Sequence, residues 1–76
     1  MMRPELLVGR VFGVDPASLD DDASSATLRQ WDSMAHINLV LAMEAEYGVR
    51  LTVEDALEAT SVGALKRVLV RRGARW

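Results

Sequence analysis

Apolar residues recur every three or four positions in three stretches of the chain, which is the spacing of an amphipathic helix. The first stretch, residues 3–13, has Pro4 in a position suited to a first helical turn and ends at Gly13, a residue that readily takes a left-handed conformation. Its apolar stripe consists of Leu7, Val8, Val11 and Phe12. No segment has the alternating pattern of a strand. The pattern therefore predicts an all-α chain.

The second stretch predicts the longest helix, over residues 33–47, with Asp32 or Ser33 as its cap and Gly48 at its end. A helix that is apolar on two sides is either deeply buried or uses one side to bind a partner. We assign one side, the core stripe, to the interior and interpret the other, the outer stripe, as a partner-binding surface. The core stripe is Leu39, Met43 and Tyr47, and the outer stripe is Met34, Ile37 and Leu41.

Two further helices complete the prediction. Thr52, with Asp55 three residues later, has the pattern of a capping box and starts a short helix over residues 53–58. Ser61 caps a last helix over residues 62–72, whose inward positions are Leu65, Val68 and Leu69.

A long connection, residues 14–31, separates the first two helices. Asp15-Pro16 initiates a turn, and the Ser/Asp/Ala run that follows has neither a helix nor a strand pattern. Connections of this length are uncommon in small domains and are usually functional or anchored by a few apolar side chains. The candidate anchors are Val14, Leu19 and Leu28. We therefore predict one domain over residues 1–76, a small bundle of three main helices plus one short helix, with a long loop between the first two helices.

Composition narrows the classes of function. The 76 residues include no cysteine, which excludes disulfides and thiolate metal sites. They include one histidine, and one histidine alone does not make a metal site, so we expect no metal. No apolar run approaches the roughly 18 to 20 residues that span a bilayer. The N-terminal residues lack the apolar core of a secretory signal, so we expect a cytoplasmic protein that does not bind membranes.

The formal net charge is −2, and its two signs are separated along the chain. A nucleic-acid module needs one coherent basic face, which this pattern lacks, so we expect no nucleic-acid partner. The simplest interpretation of both charged clusters is solvated surface, and we keep that interpretation for the basic tail. The acidic cluster is Asp15, Asp20, Asp21 and Asp22, and the basic tail is Lys66, Arg67, Arg71, Arg72 and Arg75.

Asp32, Ser33 and His36 are the residue types of a serine-hydrolase triad. Ser33 and His36 are spaced to touch on a helix, but Asp32 points away from the place where an orienting acid is needed. The chain also lacks a glycine-rich elbow and is too small to enclose a substrate pocket. We interpret His36 instead as a half-buried residue that packs near Trp31. Besides the third hypothesis of a small hydrolase that uses Ser33 and His36, two alternatives are open for Ser33: a plain helix cap, or an exposed attachment point where the helix dipole stabilises an added phosphodiester.

Three segments resemble the acyl carrier protein family over nearly the full chain. In order, they resemble the family's first helix and loop, its Asp-Ser-Leu motif with the following helix, and its last helix. These segments are LLVGRVFGVDPASLDDD, WDSMAHINLVLAMEAEYGVRL and TSVGALKRVL. The resemblance implies that Ser33 carries 4′-phosphopantetheine, transferred from coenzyme A by a phosphopantetheinyl transferase. The thiol of that arm would hold an acyl group as a thioester, and the carrier itself would not be an enzyme.

The resemblance also implies a partner-recognition surface, for which we expect Asp32, Met34, Ile37, Leu41 and Glu44. The expected partners, besides the transferase, are an acyl- or aminoacyl-activating enzyme and a downstream transferase or synthase, and the carrier is expected to be a monomer. The alternatives are an aminoacyl or peptidyl carrier of a nonribosomal-type pathway, and a helical interaction module that is never modified.

The sequence departs from the family pattern at the recognition helix. Met34 stands where the family usually has Leu, and three other positions lack the acids that are frequent there: Ala35, Asn38 and Ala45. Docking is therefore expected to use apolar contacts and the acids of the loop and short helix, namely Asp20 to Asp22, Glu54, Asp55 and Glu58. In this respect the chain looks like stand-alone carriers of specialised metabolism, which load small acyl, glyceryl or aminoacyl units.

Overall fold

The computed structural model describes residues 1–76 and is all-helical. Its four α-helices are α1 (Pro4–Phe12), α2 (Ser33–Tyr47), α3 (Val53–Glu58) and α4 (Val62–Arg71). The predicted fold class is confirmed, and α2 and α3 have the predicted bounds. The first helix is one residue shorter than predicted at each end, and the last is one residue shorter at its C-terminus. No helix combines the length and apolar character that crossing a bilayer requires.

The core lies between α2, α1 and α4. Leu39 and Met43 of the core stripe are fully buried, and Tyr47 is nearly so. They pack in one cluster with the predicted inward residues of α4 and with Leu7, Val8 and Phe12 of α1. The assignment of the core stripe is therefore confirmed. Burial of these side chains is what holds helices as short as α1 and α4 in place.

The long connection is anchored by side chains and by its backbone. Leu19 is buried, and Val14 and Leu28 are partly buried against the core, so the predicted anchors are confirmed. In addition, backbone N–H groups at the start of α4 donate to the loop: Val62 to the Ala23 carbonyl at 2.9 Å and Gly63 to the Asp21 carbonyl at 3.0 Å. These bonds flank an isolated antiparallel bridge between Ser24 and Ser61 and fasten the loop to α4.

A short 3₁₀ turn, Pro16–Ser18, lies within this connection and was not part of the sequence prediction. The ring of Pro16 fixes φ near the helical value, and the Asp15 carboxylate accepts a hydrogen bond from the Ala17 N–H at 3.0 Å. Local turn chemistry thus orders a segment that has no helical periodicity.

Asp55 is the buried charge of the fold, with 1% of its surface exposed. Its carboxylate accepts from Arg72 Nε at 2.7 Å, from Arg71 Nη2 at 2.9 Å and from the Thr52 N–H at 2.9 Å. The hydrogen bond from Arg72, followed by that from Thr52, holds the pKa of Asp55 well below its ordinary value of 3.8. The predicted capping box is confirmed, because the Thr52 hydroxyl in turn accepts from the Asp55 N–H.

This ion pairing corrects two interpretations. Asp55 was expected among the docking acids, but it is buried and its oxygens are occupied by Arg71 of α4 and by Arg72, which follows that helix. The basic tail was interpreted as solvated surface, but Arg71 and Arg72 bind this carboxylate, and Arg71 also binds Glu58 at 2.9 Å. The run of basic residues in the sequence did not reveal that Arg71 and Arg72 form ion pairs with one buried carboxylate, that of Asp55.

Lys66 is a further exception to the solvated tail. Its Nζ lies 2.6 Å from Glu5 Oε2 and 2.8 Å from Asp21 Oδ1, so it joins α4 to α1 and to the long loop. Burial, the largest single effect, raises the pKa of Glu5. The hydrogen bonds from Lys66 and from the Glu5 backbone, together with the charges of Lys66 and Arg3, outweigh it and leave that pKa below its ordinary value. The ammonium therefore links three parts of the chain.

Candidate attachment site

Ser33 is the first residue of α2, and its side chain is exposed. The cap of the helix is its neighbour: Asp32 is extended, and its Oδ1 accepts a hydrogen bond from the Ala35 N–H at 2.9 Å. Of the two capping candidates, Asp32 therefore performs the structural role. The Ser33 hydroxyl is left free of the capping bond and faces solvent.

The surroundings of this hydroxyl fit a phosphodiester. The first N–H groups of a helix have no hydrogen-bond partner inside the helix. In α2, the Ala35 N–H donates to the Asp32 side chain and the His36 N–H donates to the Asp32 carbonyl. The N–H groups of Ser33 and Met34 remain available. They lie at the positive end of the α2 dipole, which favours negative charge. The site thus combines an accessible hydroxyl with free donors beside it.

His36 is not arranged as a base for Ser33. Its Nδ1 lies 3.0 Å from Trp31 Nε1, and its Nε2 lies 2.7 Å from the carbonyl oxygen of Ala56 on α3. Both ring nitrogens are thus engaged by other groups, and Asp32 is engaged as the helix cap. The geometry that nucleophilic catalysis by a serine requires is not assembled here.

Trp31 fixes the chain just ahead of the site. It is 2% exposed, its ring centroid lies 5.0 Å from that of Phe12, and its indole stacks beside His36. The prediction that His36 is half-buried near Trp31 is confirmed. The hydrogen bond between the two rings was not predicted, because sequence spacing does not fix side-chain rotamers.

The outer stripe is exposed as predicted: 70% of Met34, 56% of Ile37 and 59% of Leu41 is accessible. Two apolar side chains of α3 that the sequence reasoning missed, Val53 and Leu57, are each 73% exposed. The overlooked signal is their spacing, since residues four apart lie on one face of a helix. Together these five side chains form what we call the apolar face.

Glu44 was expected on the recognition surface and has a structural contact in addition. Its side chain is half-buried, and Oε2 accepts a hydrogen bond from the Leu51 N–H at 2.8 Å. This bond fastens the segment between α2 and α3 to α2. A recognition role for Glu44 stays a prediction.

Comparison with known proteins now identifies the family. The family model described as "phosphopantetheine attachment site" matches residues 6–69. The chain belongs to this family. Its members carry covalently attached 4′-phosphopantetheine. Ser33 lies within the matched residues of this chain. No curated protein sequence matches the chain significantly.

The fold of this carrier is also that of a solved structure. The solution NMR structure of the holo acyl carrier protein from Geobacter metallireducens has a TM-score of 0.78 to it at 23% sequence identity. The match covers 95% of this chain and 86% of that chain. The chain is therefore a phosphopantetheine carrier with the fold of an acyl carrier protein, a class of protein that works with phosphopantetheinyl transferases and biosynthetic enzymes.

Proposed function

We propose that Ser33 is the attachment residue and that the protein presents an acyl group, held as a thioester, to partner enzymes. The observation that carries the proposal is the exposed Ser33 hydroxyl at the start of α2, left free because Asp32 caps the helix. When bound, the arm supplies a terminal thiol that holds the acyl group and gives it reach. The chain supplies the anchor and the surface that partners recognise, and no catalysis of its own.

In the attachment step, Ser33 Oγ attacks the coenzyme A phosphorus that bears the pantetheine. A new oxygen–phosphorus bond forms, the pyrophosphate bond breaks, and the adenosine bisphosphate half of coenzyme A leaves. The serine proton passes to a base of the transferase, which is why the carrier needs no base of its own. The free N–H groups of Ser33 and Met34 and the dipole of α2 stabilise the negative charge that the phosphodiester adds.

Recognition by partners is proposed to use the apolar face together with Asp32 and Glu44. Of the six expected acids, five are exposed and one, Asp55, is buried; the exposed ones are Asp20 to Asp22 of the loop and Glu54 and Glu58 of α3. Because α2 has few acids, apolar contacts supply most of the docking energy, a balance that suits a stand-alone carrier of small acyl, glyceryl or aminoacyl units. The proposed partners are an acyl- or aminoacyl-activating enzyme and a downstream transferase or synthase.

The experiment is modification of the purified protein by coenzyme A and a broad-specificity phosphopantetheinyl transferase, followed by intact mass spectrometry. Wild type is expected to gain the mass of one phosphopantetheine group, and Ser33→Ala none. The matched control is Ser25→Ala, since Ser25 is another exposed serine, and it should be modified like wild type. No adduct on wild type would instead support an unmodified interaction module, and an adduct on Ser33→Ala would place the arm elsewhere.

The second candidate is an aminoacyl or peptidyl carrier, which the sparsely acidic α2 also suits. The two carriers differ in cargo, because an aminoacyl thioester has a free α-amino group that a simple acyl thioester lacks. Loading the modified protein with acyl-activating and aminoacyl-activating enzymes in parallel separates them. Transfer of the acyl group supports the first candidate, and transfer of the aminoacyl group alone restricts the cargo to that of the second.

A further inference from the structure

The His36 ring makes two hydrogen bonds that together fix its proton. Trp31 Nε1–H can only donate, so Nδ1 of His36, 3.0 Å away, must present its lone pair. The Ala56 carbonyl can only accept, so Nε2, 2.7 Å away, must carry the hydrogen. Only the neutral imidazole protonated at Nε2 satisfies both partners at once, because the neutral ring has one donor and one acceptor.

The two partners belong to different parts of the molecule. Trp31 is buried and lies two residues before Ser33, so it sets the path of the chain into the attachment site. Ala56 lies on α3 between Val53 and Leu57, which contribute to the apolar face. Among the side chains of α2, only that of His36 hydrogen-bonds to a residue of α3. The His36 ring therefore connects Trp31, in the segment that leads to Ser33, with α3.

A helix as short as α3 cannot hold itself in position, because six residues are too few to be stable alone. On the side of α4 it is held by the ion pairs of Asp55. On the side of α2 the half-buried bond from His36 to Ala56 is the corresponding tie. Loss of this bond would leave α3 free to shift relative to Ser33 while the rest of the bundle stays folded.

We propose that His36 is a positioning residue: as the Nε2–H tautomer it holds α3 and the segment leading to Ser33 in the one arrangement that the transferase recognises. This inference rests on the proposed attachment at Ser33. His36 acts through Trp31 and Ala56 and does not touch the reacting hydroxyl. Its contribution is to docking, so it should change KM for the carrier and leave kcat nearly constant.

The first test reads the tautomer in the unmodified wild-type protein. A long-range proton–nitrogen NMR spectrum of protein labelled with nitrogen-15 distinguishes a protonated ring nitrogen from one with a free lone pair. The expected result is a single set of signals with the proton on Nε2. A proton on Nδ1, or an averaged mixture of the two tautomers, would overturn the proposal. Since no transferase is involved, this result does not depend on whether Ser33 is modified.

The second test is steady-state kinetics of the transferase with two variants. His36→Phe keeps a ring but has no hydrogen-bonding nitrogen, and KM for the carrier should rise about three- to tenfold, with kcat within about twofold of wild type. His36→Gln, whose amide can accept and donate, should recover most of that loss. Arg10→Gln, on the exposed side of α1, is the matched control for a single surface change.

Equal KM values for wild type and His36→Phe would contradict the proposal, as would a Gln variant no better than Phe. Circular dichroism checks that each variant is folded, and if His36→Phe is not, His36→Leu, which also lacks hydrogen-bonding atoms, replaces it in the same kinetics. Failure of wild type to accept phosphopantetheine would refute the proposed function instead, and it would leave the tautomer result intact.

Discussion

Ile37 and Leu39 lie two positions apart on α2 and have opposite surroundings, since Ile37 is 56% exposed and Leu39 fully buried. Ile37→Asp should therefore change the free energy of unfolding by only about 0.5 kcal/mol. It should lower kcat/KM for modification by the transferase about tenfold, because a charge replaces an apolar docking contact. Leu39→Asp places an unpaired charge in the core and should cost more than about 4 kcal/mol. Urea unfolding followed by circular dichroism measures both stabilities.

If Ile37→Asp unfolds the domain, the division of α2 into a core stripe and an outer stripe is wrong. If it folds and is modified at the wild-type rate, the outer stripe is exposed but is not used by this transferase. The two results are separated by measuring helicity before the kinetics.

Gly9 lies inside α1 at a close approach to the long loop. A Cβ at this position would lie 2.8 Å from the Val14 carbonyl oxygen and 2.9 Å from Pro16 Cγ. Alanine normally stabilises a helix interior by up to about 1 kcal/mol relative to glycine, but overpacking against backbone costs about 1 to 3 kcal/mol. Gly9→Ala should therefore destabilise the protein by about 1 kcal/mol in urea unfolding. A gain in stability would mean that the loop can move away from α1 without cost.

Single residues were predictable where one property decides their role. A cap at Asp32 or Ser33, the half-burial of His36 and the exposure of the outer stripe follow from periodicity and turn chemistry, although the structure was needed to decide for Asp32. The close approach at Gly9 and the partners of Asp55 were not predictable, because they depend on which segments meet in space. Spacing along one helix carries no such information.

The capping box of α3 provides a test of how this short helix is held. The Thr52 hydroxyl accepts from the Asp55 N–H at 3.1 Å, and the Asp55 carboxylate accepts from the Thr52 N–H. Thr52→Ala removes the first bond and should cost about 1 kcal/mol, whereas Thr52→Ser keeps the hydroxyl and should stay near wild type. Hydrogen exchange of the α3 amides, together with urea unfolding, measures the effect. Equal protection of α3 in both variants would indicate that tertiary contacts alone hold the helix.

The helices were more predictable than the loop between them. The bounds of α2 and α3 follow from caps and from Gly48, whose φ of 63° ends α2 in the left-handed conformation. The loop is ordered by the backbone bonds from Val62 and Gly63, and backbone groups leave no pattern in side-chain composition. A loop that pairs with a distant helix start therefore looks structureless when it is read as sequence.

Across the molecule, the pairing of Asp55 with α4 makes stability depend on pH. The folded protein holds the pKa of this carboxyl below its ordinary value of 3.8, so the unfolded chain binds more protons in this range. The stabilisation is fully present above about pH 5 and is lost as the pH falls below the ordinary value and on through the folded one. Thermal unfolding at a series of pH values from about 7 to 2 should show this decline.

The matching variant is Asp55→Asn, which keeps the shape of the side chain but not its charge. It should be less stable than wild type at neutral pH, and its stability should fall less steeply in acid, because it lacks this titrating group. Glu5 and Glu58 also have lowered pKa values, so some acid sensitivity will remain. Parallel declines in wild type and variant would show that Asp55 is not the main source of the pH dependence.

The central claim, that Ser33 carries the arm, is tested most directly by a tryptic map of the modified wild-type protein. Cleavage after Arg29 and Arg50 releases residues 30–50, in which Ser33 is the only serine and no threonine occurs. The other loop and helix-cap hydroxyls fall in the flanking peptides, residues 11–29 and 51–66. The expected result is the mass of one phosphopantetheine group on residues 30–50 alone. The same mass on either flanking peptide would contradict the claim.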